Sequence, residues 1–302
     1  MASRSSSLPC GDTTFGRIDA PFLQPLAVRF YGRRPARGAA PLAVHFHGGH
    51  FIAGGIARGS AVARLLAEAG AVVVSLDYPL APAHPFPAAV EAGHRALDWV
   101  ARHRTRLAGA GAPLFVAGEE AGGNLAAAVA RMARDRRGPA LAGQLLLSPM
   151  LDPRLGTGSL RAAGAGGADC AWARGWRSYL PRCDDAAHPY AAPGGAARAD
   201  GLPPALVLSA GDDPLRDEAL AHVRCLERAG VPVAARLLPA GAGWPAGLLA
   251  PADAGVPWAD AVRAHFRAFL RAPGGAAEGA PPGGPGPSAA PRARAAAAAR
   301  SG

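Results

Sequence analysis

Gly118-Glu119-Glu120-Ala121-Gly122-Gly123-Asn124 follows the apolar run Pro113-Leu114-Phe115-Val116-Ala117 and opens into Leu125-Ala126-Ala127-Ala128-Val129-Ala130-Arg131-Met132. The first run reads as a strand and the last as a helix of strong helix formers, with a Gly-lined turn between them. Strand, sharp turn and helix form the setting of a nucleophile elbow, whose frame is G-x-S-x-G. Small residues beside the apex allow a strained backbone and let the helix pack close to the strand. Here the frame reads Gly118-Glu119-Glu120-Ala121-Gly122, so a glutamate stands where the nucleophile belongs. The frame is kept while the chemistry at its apex is changed.

Half of the 302 residues are hydrophobic, enough for a sizeable core. No apolar run approaches the roughly 18 residues of a membrane span. Residues 1–10 lack the apolar region of a signal peptide, so a cytoplasmic protein is expected. Cys10, Cys170, Cys183 and Cys225 form no C-x-x-C pair and read as free thiols, with no metal site. The formal charge is +10 and every basic residue is arginine, which excludes Schiff-base chemistry through a lysine. The arginines are scattered apart from short clusters at Arg33-Arg34-Arg37 and Arg134-Arg136-Arg137, and no nucleic-acid-binding motif accompanies them. They read as a solvated basic surface, and neither nucleic acid nor membrane is expected as a partner.

Beyond the elbow, apolar runs alternate with helical patterns. Strands are expected at 26–31, 42–46, 71–76, 113–117, 142–148, 204–209 and 232–238. Helices are expected at 61–69, from Pro87 to about 103, and at 122–134, 215–229 and 258–271. Strands alternating with helices of this length indicate an α/β fold, a mostly parallel sheet covered on both faces. Residues 150–200 break the alternation and read as an insertion over one end of the sheet, with Trp172, Trp176 and Tyr179 among small residues. The organisation expected is a loosely ordered segment at 1–25, one domain at 26–272, and a disordered Ala/Gly/Pro-rich tail at 273–302.

Four segments point the same way. His47-Gly48-Gly49-His50-Phe51 follows one strand, and Asp77-Tyr78-Pro79-Leu80-Ala81-Pro82-Ala83-His84-Pro85-Phe86-Pro87-Ala88-Ala89 follows the next. The elbow is third, and Asp213-Pro214-Leu215-Arg216-Asp217-Glu218 follows a later strand. In order and spacing these resemble the hormone-sensitive-lipase-like branch of the α/β-hydrolase fold, the bacterial carboxylesterase group. That group's patterns are H-G-G-G-F, D-Y-R-L-A-P-E-x-P-F-P-A-A, G-D-S-A-G-G-N and D-P-L-R-D-E. The resemblance covers about 26–271. It implies a serine that attacks an ester carbonyl, a histidine that takes its proton, an aspartate that holds the histidine, and backbone amides that stabilise the oxyanion. It implies no cofactor.

By this resemblance Asp213 is the triad acid. Gly48 and Gly49 are the first two glycines of the oxyanion loop, with His50 in place of the third, and Ala121 is the elbow amide. His47 is the histidine that opens and braces the loop. Glu120 falls on the serine. The group's histidine lies in P-G-x-x-H-G-F, here Pro239-Ala240-Gly241-Ala242-Gly243-Trp244-Pro245, which puts Gly243 on it, 30 residues beyond Asp213 (243 − 213). No substitute is at hand. Residues 76–147 contain no serine or cysteine, and no histidine lies between His222 and His265. His222 and His265 fall inside helices and read as packing or surface residues, and His188 resembles a structural H-P-Y segment. His50 is a candidate to face Glu120, the alternative being a loop histidine turned to solvent. Trp172, Trp176 and Tyr179 are candidate pocket residues, or else ordinary packing of the insertion.

Three roles for Glu120 follow: a carboxylate nucleophile, a general acid/base, or a plug whose carboxylate occupies the oxyanion amides. The helix N-terminus and the loop amides favour its anion, which supports the plug. The chain is therefore expected to be a non-catalytic pseudo-hydrolase, monomer or homodimer, that binds a small apolar molecule or a partner. Plant gibberellin receptors reuse this fold in a similar way. The short segment before Leu26 is expected to leave the pocket more open, or completed by a partner. The alternative is an atypical hydrolase or lyase acting on an ester-like or acyl substrate through Glu120. A decaying gene copy is a third reading.

Overall fold

The apolar runs of the sequence become the middle of one sheet because strands covered on both faces need no polar side. The computed structural model describes residues 13–18, 25–164, 170–196 and 198–273. Its strands are β1 (Thr13–Ile18), β2 (Leu26–Tyr31), β3 (Leu42–Phe46), β4 (Val72–Leu76), β5 (Leu114–Glu119), β6 (Gly143–Leu147), β7 (Ala205–Ala210) and β8 (Val233–Leu238). They form one eight-stranded sheet in the order β1-β2-β4-β3-β5-β6-β7-β8. β2 runs antiparallel to both neighbours, and β4 through β8 pair in parallel. The five strands from β3 to β7 are buried at every residue.

The helices are α1 (Ala61–Glu68), α2 (Ala88–Arg102), α3 (Arg104–Ala108), α4 (Ala121–Asp135), α5 (Gly158–Ala162), α6 (Ala171–Tyr179), α7 (Arg216–Arg228), α8 (Trp244–Leu248) and α9 (Ala259–Arg271). The period of two along each strand splits the core into two layers. Leu114 and Val116 of β5 pack with α2, α4 and α7, while Phe115 and Ala117 pack with α1, α8 and α9. Phe46, Phe115 and Phe266 are wholly buried, and each such side chain contributes roughly 1.5–3 kcal/mol. α1 starts where Ser60 accepts the amides of Val62 and Ala63 at 3.1 and 3.3 Å, a side-chain N-cap. α4 is buried on almost every face, which its run of Ala and Gly permits.

The expected strands and helices lie within a residue or two of those observed, and the sheet is mostly parallel with helices on both faces. Four points differ. Segment 1–25 contains β1, an edge strand that pairs with β2 in the register Phe15↔Arg29. It is short and broken by Gly16, and Phe15 stays exposed, so its pattern is weak. β5 runs on to Glu119, because the chain stays extended until the elbow itself. The short helices α3 and α8 were not expected; five residues show too little periodicity to announce a helix. The tail from 274 onward lies outside the described residues.

The insertion carries α5, α6 and two 3-10 turns at Cys183–Ala187 and Pro193–Gly195. It lies against the loops that leave β3 and β4. The amide of Phe86 donates to the Tyr179 carbonyl at 2.9 Å, and Phe51 stacks on Tyr179 with ring centroids 4.0 Å apart. Among the described residues no helix is long and apolar enough to cross a membrane.

Candidate active site

The elbow has the backbone its glycines allow. Glu120 sits at φ 54°, ψ −116°, between the end of β5 and the start of α4. A Cβ on Gly118 would come 2.2 Å from the Gly122 carbonyl oxygen, and one on Gly122 would come 2.0 Å from the Phe46 carbonyl oxygen. Neither position tolerates a side chain, so the strained apex is fixed by close packing of α4 on β3 and β5.

From that apex the Glu120 side chain turns into the loop after β3. Its Oε2 accepts the amide of Gly49 at 2.6 Å and that of His50 at 3.1 Å. Its Oε1 lies 2.8 Å from His50 Nε2, which donates to it. The loop therefore grips one carboxylate with two amides and an imidazole, and Glu120 is 5% exposed. His50 is held at φ 57° and faces Glu120, not solvent. Gly175 of α6 lets the insertion close on it, since a Cβ there would meet the His50 carbonyl oxygen at 2.3 Å.

The loop amides are divided differently from the expectation. Gly49 and His50 serve Glu120, whereas the Gly48 amide donates to Glu119 Oε1 at 3.3 Å. Ala121 opens α4 and is fully buried, and the carboxylate is held from the loop side instead. Leu249, half exposed, stands over Gly48: a Cβ on that glycine would meet its Cδ2 at 2.5 Å and Glu120 Oε2 at 3.0 Å.

Glu119 is the centre of a second network under the loop. Its Oε2 lies 2.8 Å from His45 Nε2, and Ser60 Oγ donates to its Oε1 at 3.0 Å. The carboxylate can only accept, so Nε2 carries the proton, and His45 Nδ1 is hydrogen-bonded to Ser75 Oγ at 2.9 Å. All four side chains are buried. The sequence offers a signal for this network, a histidine and a serine inside apolar strands that pair as His45↔Ser75. Buried polar groups of that kind require partners.

His47 braces the loop, its Nδ1 donating to the Gly48 carbonyl at 2.8 Å while its ring stacks on Tyr78 at 4.3 Å. Burial holds its basicity below that of a free imidazole. Burial first, then the charges of Glu120 and Glu119, push the Tyr78 hydroxyl well up. It stays protonated and donates to the His47 carbonyl at 2.7 Å.

Asp213 is buried and satisfied without a histidine. Ser209 donates to Oδ2 at 2.6 Å, Ser148 donates to the same oxygen, and the Leu215 amide donates to Oδ1 at 2.9 Å. The side chain that reaches this group is Trp244, fully buried, whose Nε1 donates to Ser148 Oγ at 2.5 Å. Gly243 stands at φ 69°, exposed, with open space where a Cβ would be. The side chain joined to this network through Ser148 is thus that of residue 244, one position beyond 243. Ser148, Ser209 and Trp244 were not identified from sequence, because nothing in their neighbourhood marks a hydroxyl or an indole as a partner for a distant aspartate.

Of the expected aromatic pocket, Trp172 borders the site. It is half-buried and edge-on to His50 at 5.9 Å. Trp176 and Tyr179 instead pack on Phe51 with centroids 5.0 and 4.0 Å away, both almost wholly buried. They anchor the insertion. His222 is buried in α7, and His265 lies in α9.

A family profile described as alpha/beta hydrolase fold matches residues 43–242. Carboxylesterase NlhH of Mycobacterium tuberculosis is 37% identical over 223 residues, 70% of this chain and 68% of the esterase. Gibberellin receptor GID1B of Arabidopsis thaliana is 34% identical over 180 residues, 56% of this chain and 49% of the receptor. A solved arylesterase structure superposes with a TM-score of 0.73 at 29% identity, covering 87% of this chain and 85% of that one. On the sheet order, the elbow and these likenesses together, the chain belongs to the α/β-hydrolase fold family, in its carboxylesterase-like, hormone-sensitive-lipase-like branch.

Proposed function

We propose that this chain is a non-catalytic member of its family that binds a small apolar ligand or a partner at the former ester site. One observation carries the reading: Glu120 places its own carboxylate on the Gly49 and His50 amides. Those amides are the donors on which an ester's developing oxyanion would depend. A resident anion with charge-assisted bonds satisfies them and repels a second negative charge. The acid side agrees, since the hydrogen bonds of Asp213 go to Ser148, Ser209 and Leu215, with an indole beyond them. Loss of triad members from a serine hydrolase costs roughly four to six powers of ten in rate. A gibberellin receptor among the similar proteins supports ligand recognition as a use of this framework.

The test is a panel of short-chain p-nitrophenyl esters together with a serine-reactive phosphonate probe. No turnover above buffer and no adduct are expected, and saturable binding of an apolar ligand completes the case. Ester turnover that persists after purification to homogeneity and disappears in Glu120→Ala would overturn it.

His50 favours a second reading. Its Nε2 lies 2.8 Å from Glu120 Oε1, where an imidazole can relay a proton to or from the carboxylate. In that reading Glu120 attacks an acyl or alkyl carbon and displaces the substrate's leaving group, and His50 activates the water that cleaves the resulting anhydride or ester. Intact-mass analysis during incubation with esters distinguishes the two, because a covalent adduct on residues 113–124 belongs to the second reading alone.

A further inference from the structure

Away from the elbow, β2, the loop leading into α1, α1 itself and the loop after α8 border a cavity of about 600 Å³. The polar side chains on its described lining are Arg29, Arg58, Arg64, Tyr31 and Asp253. Arg29 is held in place without being neutralised. Its Nη1 donates to the Ile56 and Ala57 carbonyls at 3.0 and 2.9 Å, and its guanidinium lies 5.3 Å from the centre of the Tyr31 ring. A Cβ on Gly59 would lie 2.5 Å from the Tyr31 hydroxyl and 2.9 Å from Arg29 Nη1, so these two polar ends converge beside one bare glycine. Arg64 shares the Glu68 carboxylate with Arg263. Arg58 and Asp253 are exposed, and among the described residues neither forms an ion pair. Three donors on this lining are unspent. The Nε atoms of Arg29 and Arg64 are buried without a hydrogen-bond partner. Tyr31, 2% exposed, accepts the Ser60 amide at 3.2 Å, while its own hydroxyl proton has no acceptor among the described residues.

We propose that this cavity binds a phosphoryl dianion, taken between the guanidiniums of Arg29 and Arg58 with the Tyr31 hydroxyl as a further donor. Three guanidiniums face one carboxylate across the cavity, so the lining carries an excess of positive charge that favours an anion. A buried donor left unpaired is costly, and what these side chains lack is acceptors. Water satisfies a donor but leaves the charge unmatched. Guanidinium forks fit phosphate oxygens bidentately, and an arginine already fixed by carbonyls and a ring gives up little freedom on binding. A tetrahedral phosphoryl group offers acceptors in several directions, as donors arriving from β2, α1 and the loop between β3 and α1 require. A carboxylate offers one charge and acceptors in one plane. Burial raises the Tyr31 hydroxyl above its ordinary range, which keeps the proton on this donor. Ala57 and Pro251 complete the wall with apolar surface, against which the carbon part of a small phosphomonoester packs.

Titration calorimetry at fixed ionic strength with inorganic phosphate and with phenyl phosphate tests this, with benzoate as the carboxylate control. Both phosphoryl probes are expected to bind saturably and to raise Tm by roughly 2–5 °C at ten times Kd. Benzoate should do neither. Phenyl phosphate binding about tenfold tighter than phosphate identifies a monoester as the occupant, and equal affinities identify the free ion. Arg58→Ala removes an exposed side chain that makes no ion pair, so the fold is kept, and it should weaken both probes about tenfold. Arg137→Ala, in the arginine cluster after α4, should leave both affinities unchanged. Crystals of the unmodified protein soaked in tungstate should show an anomalous peak between Arg29 and Arg58. Absence of saturable binding, affinities that Arg58→Ala leaves unchanged, or tungstate found only at other arginines overturns the proposal.

Discussion

At the scale of single residues, Glu120 decides the chemistry, and its contacts predict how substitutions behave. Glu120→Gln keeps the shape and removes the charge, weakening the bonds from Gly49 and His50. A loss of about 1–2 kcal/mol is expected at pH 7, read as a lower melting temperature. An unchanged melt would mean that the grip on the carboxylate contributes nothing to stability. Repair of esterase chemistry is a sharper test of residue placement. Glu120→Ser alone should stay inactive, since the Asp213 carboxylate orients no histidine toward position 120 and accepts from Ser148, Ser209 and the Leu215 amide instead. A histidine replacing Trp244 would enter the space beside Ser148 and Asp213, whereas one replacing Gly243 would start from an exposed, left-handed backbone position. Glu120→Ser with Trp244→His should therefore exceed Glu120→Ser with Gly243→His in p-nitrophenyl acetate turnover. The reverse order would restore residue 243 as the position that faces the acid.

At the scale of elements, the strands that build the sheet's centre should be the last to open. Amide hydrogen exchange should be slowest in β3, β5 and β6 and fastest in β1, whose Phe15 is 61% exposed at the sheet edge. Protection in β1 equal to that of β5 would contradict this. The same contrast explains what could be read in advance. The central strands are continuous apolar runs bounded by glycines and loops, and α4 announces itself by its helix formers, so sequence alone suffices for them. β1 has one exposed aromatic and a glycine in six residues, a pattern that many loops share. The elbow was legible because its frame is local, and the identity of residue 120 came with it. The environment of Asp213 was not, because it joins β6, β7 and α8 across long sequence separations. The one-residue difference between Gly243 and Trp244 arises in the same way: a motif gives a position along the chain, while the turn into α8 determines which side chain points inward.

For the whole molecule, two buried groups one turn apart on α7 shape the dependence of stability on pH. Burial raises the Glu218 carboxyl to about 8, against the lowering pull of the Leu151 and Asp152 amides. Burial lowers His222 to about 4. Glu218 holds a proton in the folded chain that the unfolded chain has released. Its contribution is present below about pH 4.5 and lost as pH climbs to about 8. For His222 the sign is opposite: the contribution is present above about pH 6.5 and lost as pH falls to about 4. Each slope is about 1.4 kcal/mol per pH unit at most, and the two offset each other where they overlap. Glu218→Gln should flatten the decline of Tm between pH 6.5 and 8. His222→Gln should remove the offset, so that its Tm climbs as pH falls from 6.5 to 4.5 while the parent's stays nearly level. Parallel pH profiles for parent and variants would remove both groups from the account.

Trp172 has a consequence of another kind. Of the five tryptophans, Trp176, Trp244 and Trp258 are enclosed in the core, Trp99 is half-buried and stacked on His103 at 4.1 Å, and Trp172 is half-buried and edge-on to His50 at 5.9 Å. Indole emission shifts with local polarity and is quenched by a nearby imidazolium. The protein thus carries an intrinsic fluorophore at the rim of its own site, responsive to anything that displaces water from His50. Ligand libraries can be screened by native emission without a label, with Trp172→Phe as the control in which the other four tryptophans report no change at the site.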